Sequence, residues 1–254
     1  MTLERKIRDW NFLNCTLGFL GFLFIGCSFL PQTGTSQATT WESLNSKGMQ
    51  AYRRQEYEQA KSHFLQALAS IPEQTEPDPR MATTLNNLGA THKALGEYEQ
   101  AKLRYQHSLA IVEAIQGPTH PDVAVGLNNL AALHFAYGFN EQAEVLWLRG
   151  LKIYEMHLGP DHPHLVPLLQ TLALVTKLQQ KFGESEQYYK RTIQIIENSL
   201  GHAHVRLIPI LEQYAHLLRI THREEDAAII EKRAASIRKT VPGPANSPGT
   251  TIDR

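Results

Sequence analysis

From residue 41 to residue 239, apolar positions recur at spacings of three and four and never alternate as in a strand, so the pattern predicts helices throughout. A longer period lies over the short one. Tyr57-Glu58-Gln59-Ala60 returns as Tyr98-Glu99-Gln100-Ala101 and again as Asn140-Glu141-Gln142-Ala143. Ser185 and Ala227 continue the register, which steps from Ala60 by 41, 42, 42 and 42 residues. Twelve residues before each anchor stand Gly48, Gly89, Ala131, Ala173 and Ala215; seven after stand Ala67, Ser108, Gly150, Thr192 and Ala234. Every one of these positions is Gly, Ala, Ser or Thr, the residues that let two helix backbones approach closely. Between them lie bulky residues: Leu44, Leu85, Leu127, Leu169 and Leu211, and then Phe64, Tyr105, Trp147 and Tyr189.

Each unit therefore reads as two antiparallel helices, A and B. The expected pairs are Trp41–Arg54 with Tyr57–Ser70, Met81–Leu95 with Tyr98–Gln116, and Val123–Tyr137 with Asn140–Leu158. Leu165–Gln180 with Phe182–Leu200, and Val205–Ile220 with Arg223–Lys239, complete five. The breakers agree. Gly117, Gly159 and Gly201 suit the left-handed residue that closes a helix, and Pro118 and Pro160 prevent continuation. Asp78-Pro79 supplies a cap and a first-turn proline, and Asp122 is expected to cap the third A helix. Pro167 and Pro209 fall early in their helices, where a missing N–H matters least. Residues 240–254 read as a disordered tail.

Small residues at positions 8, 20 and 27 of a helical pair form a pattern that resembles the tetratricopeptide repeat. Leu85–Gly89 (LNNLG), Leu127–Ala131 (LNNLA) and the linkers GPTHPDVA (117–124) and GPDHPHLV (159–166) are similar to the 42-residue repeats of kinesin light chain and its bacterial relatives. The resemblance covers residues 41–239, with repeats near 41–74, 81–117, 123–159, 165–201 and 205–239. It is strongest in the second and third. Lys47 departs from the pattern in the first, and Glu231 replaces an aromatic in the fifth, as suits a terminal helix facing water. The resemblance implies an all-α, right-handed α-solenoid whose A helices line a concave groove for a peptide or protein, and no catalysis.

The groove has candidate contacts. Asn45, Asn86 and Asn128 share one repeat position, and a row of amides offers donors and acceptors to an extended peptide backbone. Asn87 and Asn129 follow them, turned toward the neighbouring repeat; hydrogen bonding between repeats is the structural alternative. Farther along helix A, Tyr52, Lys93, Phe135, Lys177 and Arg219 occupy a common position, with Arg53 beside the first. Such cations could grip acidic side chains or a terminal carboxylate, or be solvated charges on a helix face. Gln170 and Glu212 end the amide row in repeats four and five.

Charge narrows the partner. The 254 residues carry 25 Lys+Arg and 25 Asp+Glu, so no net field draws in nucleic acid. Both cysteines, Cys15 and Cys27, lie in the amino-terminal apolar run, which leaves the repeats without disulfides or cysteine-ligated zinc. His162, His164, His202 and His204 sit in equivalent linkers, but no further ligand completes a metal site, and linker capping is the plainer reading. No phosphate loop, nucleophile elbow or H-E-x-x-H motif occurs, and no cofactor is expected.

Residues 1–38 read as a targeting segment. Arg5, Lys6 and Arg8 precede 19 uncharged residues, Phe12–Leu30. Three options stay open: an uncleaved membrane anchor, a signal peptide cut after Ala38, or a lipoprotein modified at Cys27. Each places the repeats outside the cytoplasm. The leading function is an exported or membrane-tethered interaction scaffold. A metal-dependent factor using the linker histidines and a structural spacer are the alternatives.

Overall fold

The computed structural model describes residues 40–72 and 76–240. The apolar segment before Thr40 and the expected tail after Thr240 lie outside the described residues. Among the described residues there are only helices, and none is long and apolar enough to cross a membrane. The chain divides into two compact units at His157/Leu158.

The first unit holds three hairpins: α1 (Trp41–Arg53) with α2 (Tyr57–Ala69), α3 (Pro79–Ala94) with α4 (Tyr98–Gln116), and α5 (Pro121–Ala136) with α6 (Asn140–Leu158). The second holds two, α7 (Val166–Leu178) with α8 (Phe182–Leu200) and α9 (Leu207–Ile220) with α10 (Glu224–Thr240). A short 3-10 turn, Pro163–Leu165, leads into α7.

The small residues do what their spacing predicts. Gly89 lies against the Tyr105 ring so closely that a Cβ there would stand 2.7 Å from it; at Gly48 the distance to Phe64 would be 2.5 Å. Ala60, Ala101, Ala143 and Ala227 are fully buried between helices. Ser108 and Ser185 replace them or their partners and satisfy their hydroxyls on the Ala82 and Ala173 carbonyls, at 2.8 and 2.7 Å. Phe64 and Trp147 in the first unit and Tyr189 in the second are the largest fully buried rings.

Every A–B turn closes in the same way. Glu56, Glu97, Phe139, Lys181 and Arg223 donate their amides to Ala51, His92, His134, Thr176 and Leu218, each five residues back and at 2.9–3.0 Å. The preceding residue is left-handed in each turn: Gln55, Gly96, Gly138, Gln180 and His222, with φ of 63, 79, 87, 62 and 59°. This double closure satisfies carbonyls that a bare helix end would orphan.

The B–A linkers follow a second rule. Gly117, Gly159 and Gly201 have φ of 88, 88 and 95°. Gly117 and Gly201 pair this with ψ near 158°, an extended mirror conformation instead of the left-handed helical one expected. The cap expected at Asp122 belongs to His120, whose Nδ1 accepts from the Asp122 amide at 3.2 Å. The reason is Pro121. It takes the first helical position, so the cap must precede it, as Asp78 precedes Pro79. Asp122 instead accepts from Gln116 at 2.9 Å.

Candidate functional site

The A helices α1, α3 and α5 touch in succession and carry the asparagine row. Its amides are wired to one another. Asn87 Nδ2 donates to Asn45 Oδ1 at 3.0 Å, and Asn129 Nδ2 donates to Asn86 Oδ1 at 2.7 Å. Trp147, reaching over from α6, donates its indole N–H to Asn128 Oδ1 at 2.9 Å. An indole only donates, so it fixes which way the Asn128 amide points. Each of the three oxygens of the row therefore accepts one hydrogen bond. Among the described residues the Nδ2 groups of Asn45, Asn86 and Asn128 have no partner, and Asn128 is exposed. The unpartnered groups of the row are donors, and each oxygen keeps one further acceptor site.

Next to it opens a cavity of about 160 Å³, lined by Met49, Tyr52, Phe64, Asn87 and Ala90. Its walls are apolar except for the Asn87 amide and the Tyr52 phenol. Tyr52 meets Tyr57 edge to face, with ring centres 5.4 Å apart. Burial pushes its phenol above the ordinary tyrosine range, with the neighbouring Tyr57 adding to the effect. One position along the ridge in α3, Lys93 is half-buried, and burial pulls its ammonium down to about 8. In α5 the corresponding Phe135 packs on Trp147, with centroids 5.7 Å apart. Arg53 ends α1 and is exposed, and its charge complements the helix dipole.

The second unit carries the other two ridge residues. Lys177 is half-buried, and its ammonium is likewise lowered by burial. Arg219 is exposed and ion-paired at 2.8 Å to Glu231, the residue that replaces the expected aromatic. Its charge is met within its own hairpin. Glu212, at the amide-row position, pairs with Arg238. Tyr189 corresponds to Trp147 and Gln170 to Asn128, but here no bond links the two: the buried Tyr189 hydroxyl has no partner among the described residues. The wiring that defines the first unit's row thus stops there.

Two further constellations escaped the sequence reading. Arg149, Arg191 and Arg233 reach from successive B helices to the linker carbonyls of Pro118, Pro160 and His202. Arg149 also holds Glu113 at 2.5 Å, and Arg233 holds Glu197. Their 42-residue spacing was the available signal. In the second unit, Glu186 accepts from Tyr214 and Arg223 at 2.8 Å each and pairs with Lys190 at 2.7 Å. Its partial burial opposes ionisation, but these bonds outweigh it and hold the carboxyl down to about 2. As for metal, the Nδ1 atoms of His162 and His204 accept backbone amides, and the described residues bring no three His, Cys, Asp or Glu side chains together as ligands.

Hairpins with small-residue seams, repeating every 42 residues, define a helical-repeat solenoid. Residues 37–114 and 80–156 match one tetratricopeptide-repeat family model and residues 168–206 a second, together more than half of the chain. The chain belongs to the tetratricopeptide-repeat family. Solved structures agree. BtubC (BKLC) from P. vanneervenii superposes with a TM-score of 0.68 at 19% identity, covering 84% of this chain and 87% of that one. The nearly identical TPR-like repeats of a kinesin light chain-type protein from Podosopora anserina give 0.67 at 16%, covering 78% and 94%. Aspartyl phosphate phosphatase F from Bacillus subtilis gives 0.59 at 14%, covering 78% and 50%. At these identities the likeness is one of fold. No curated protein matches the chain.

Proposed function

We propose that the chain is a non-enzymatic scaffold whose first unit holds an extended segment of a partner protein along α1, α3 and α5. The observation that carries this reading is the polarity of the asparagine row. Each of their oxygens already accepts one hydrogen bond inside the array, while the Nδ2 groups of Asn45, Asn86 and Asn128 have no partner among the described residues and so offer N–H donors, a complement for backbone carbonyls or carboxylates. Lys93 and Arg53 favour an acidic partner, and the cavity beside Tyr52 receives an apolar side chain. The apolar run Phe12–Leu30 and its basic flank support export or membrane tethering, with the repeats outside the cytoplasm.

The test separates donor from scaffold. Replacing asparagine by aspartate keeps an acceptor oxygen for Asn129 and Trp147 but removes the N–H groups. Panning a random peptide library on the full chain should enrich binders. Asn86→Asp with Asn128→Asp should weaken them about tenfold, the worth of one to two hydrogen bonds. Equal binding by both proteins would make the row structural. Fractionation of the native host with amino-terminal sequencing tests location: an envelope or secreted product, starting at Met1, Cys27 or near residue 39, is expected, and a full-length cytoplasmic pool contradicts it.

A further inference from the structure

Four linkers end in the same small device. Asp78, His120, His162 and His204 stand 42 residues apart. In each, the backbone carbonyl accepts at 3.0 Å from the amide three residues on, those of Met81, Val123, Leu165 and Leu207. In each, the side chain accepts from the amide two residues on. Asp78 Oδ1 takes Arg80 at 2.7 Å. The Nδ1 atoms of His120, His162 and His204 take Asp122, His164 and Arg206, all at 3.2 Å. Turn and register are shared; the acceptor is a carboxylate once and an imidazole three times.

The difference is chemical. A ring nitrogen accepts only without a proton, and an imidazolium has two donors and no acceptor. A cation at a helix start also opposes the dipole. Asp78 behaves in the opposite sense: the Arg80 guanidinium, above all, holds its carboxyl below the usual range, so it stays an acceptor in mild acid.

The surroundings add little that would compensate. His120 faces the Asp122 carboxylate at 3.7 Å, and Arg149 of α6, held by Glu113, sits on the Pro118 carbonyl. The His162 ring lies 4.7 Å from that of His164, follows Asp161, and has Arg191 of α8 on the Pro160 carbonyl. His204 has Arg206 as its donor and His202 nearby, the latter 3.5 Å from Glu197, which Arg233 of α10 also holds. Every one of these three linkers already carries an arginine. Among the described residues only His120 has a carboxylate within 4 Å of the capping nitrogen.

We propose that the linker histidines make the joints between hairpins acid-sensitive. Protonation of the three rings removes these acceptors and loosens the start of α5 and the short turns that lead into α7 and α9. The Asp78 joint stays closed. This device stands apart from the scaffold reading and holds whatever the array binds.

Melting temperatures of the full chain between pH 8 and pH 5 test it. The wild type is compared with two triple variants at His120, His162 and His204, one all Asn and one all Asp. Both residues cap well, and neither loses its acceptor in this range. Both variants should lose roughly 5–10 °C less than wild type on acidification. Slopes equal to wild type would overturn the proposal. Protection by Asp alone would also overturn it, because added negative charge would then be the cause. If the variants fail to fold, the wild type still decides. Its Asp122, His164 and Arg206 amide resonances should move with the ring titrations while that of Arg80 holds still. Four amides moving alike, or none moving, refutes the mechanism.

Discussion

At the tip of each hairpin a single residue carries a positive φ, and its identity sets a local cost. Gly96 and Gly138 adopt that conformation freely, whereas Gln55, Gln180 and His222 hold it with a Cβ. Gln180→Gly should therefore stabilise the second unit by about 0.5–1 kcal/mol; a lowered melting temperature would contradict this strain. Gly89 is the converse case. Its Cβ would meet the Tyr105 ring at 2.7 Å, so Gly89→Ala should cost about 1–3 kcal/mol despite alanine's better helix propensity. Thermal melts check both. Lys93 adds a pH dependence. Its folded-state ammonium loses its proton near 8, below the ordinary lysine range, so its burial costs stability below that point and the cost fades as pH rises from 8 toward 10.5. An acidic ligand draws the proton back. Its affinity should drop about tenfold between pH 7 and 9, with proton uptake visible by calorimetry in buffers of different ionisation enthalpy. Lys93→Met should abolish both the drop and the uptake.

At the level of helices and turns, the period was legible because close packing leaves no choice at the seams. Fifteen small residues in register marked the ten helices, and α4, α6 and α8 begin and end where the apolar spacing placed them. What stayed hidden depended on partners far apart in sequence. Nothing near Asn86 says that its oxygen belongs to Asn129, 43 residues on. The cap of α5 is His120 and not the Asp122 that the sequence suggests, because the proline between them takes the first helical position. The arginine clasps needed a third dimension, although their spacing repeats. The Glu186 hub belongs here too. Its carboxyl titrates near 2 in the folded chain and near the ordinary range when unfolded, so the stability it lends is present above about pH 4.5 and lost as pH falls toward 2. Glu186→Gln should lower the melting temperature at pH 7 and flatten the loss between pH 5 and 3. An unchanged acid limb would mean that Tyr214, Lys190 and Arg223 gain nothing from this partner.

For the molecule as a whole, the two units differ in their polar wiring. The first joins wired amides, a cavity and a half-buried lysine on three A helices. The second also holds a half-buried lysine, Lys177, but pairs Arg219 with Glu231 and Glu212 with Arg238 and lacks the amide wiring. The recognition proposed above falls within the first unit, and α10, whose polar face suits the terminus of a repeat array, is the expected end cap. The most direct measurement is the side-chain amide spectrum of the full chain, with and without a peptide selected on it. If the row reads carbonyl oxygens, the Nδ2 signals of Asn45, Asn86 and Asn128 shift on binding while those of Asn87 and Asn129 keep their positions. A bound peptide that leaves the first three signals where they were would contradict the account.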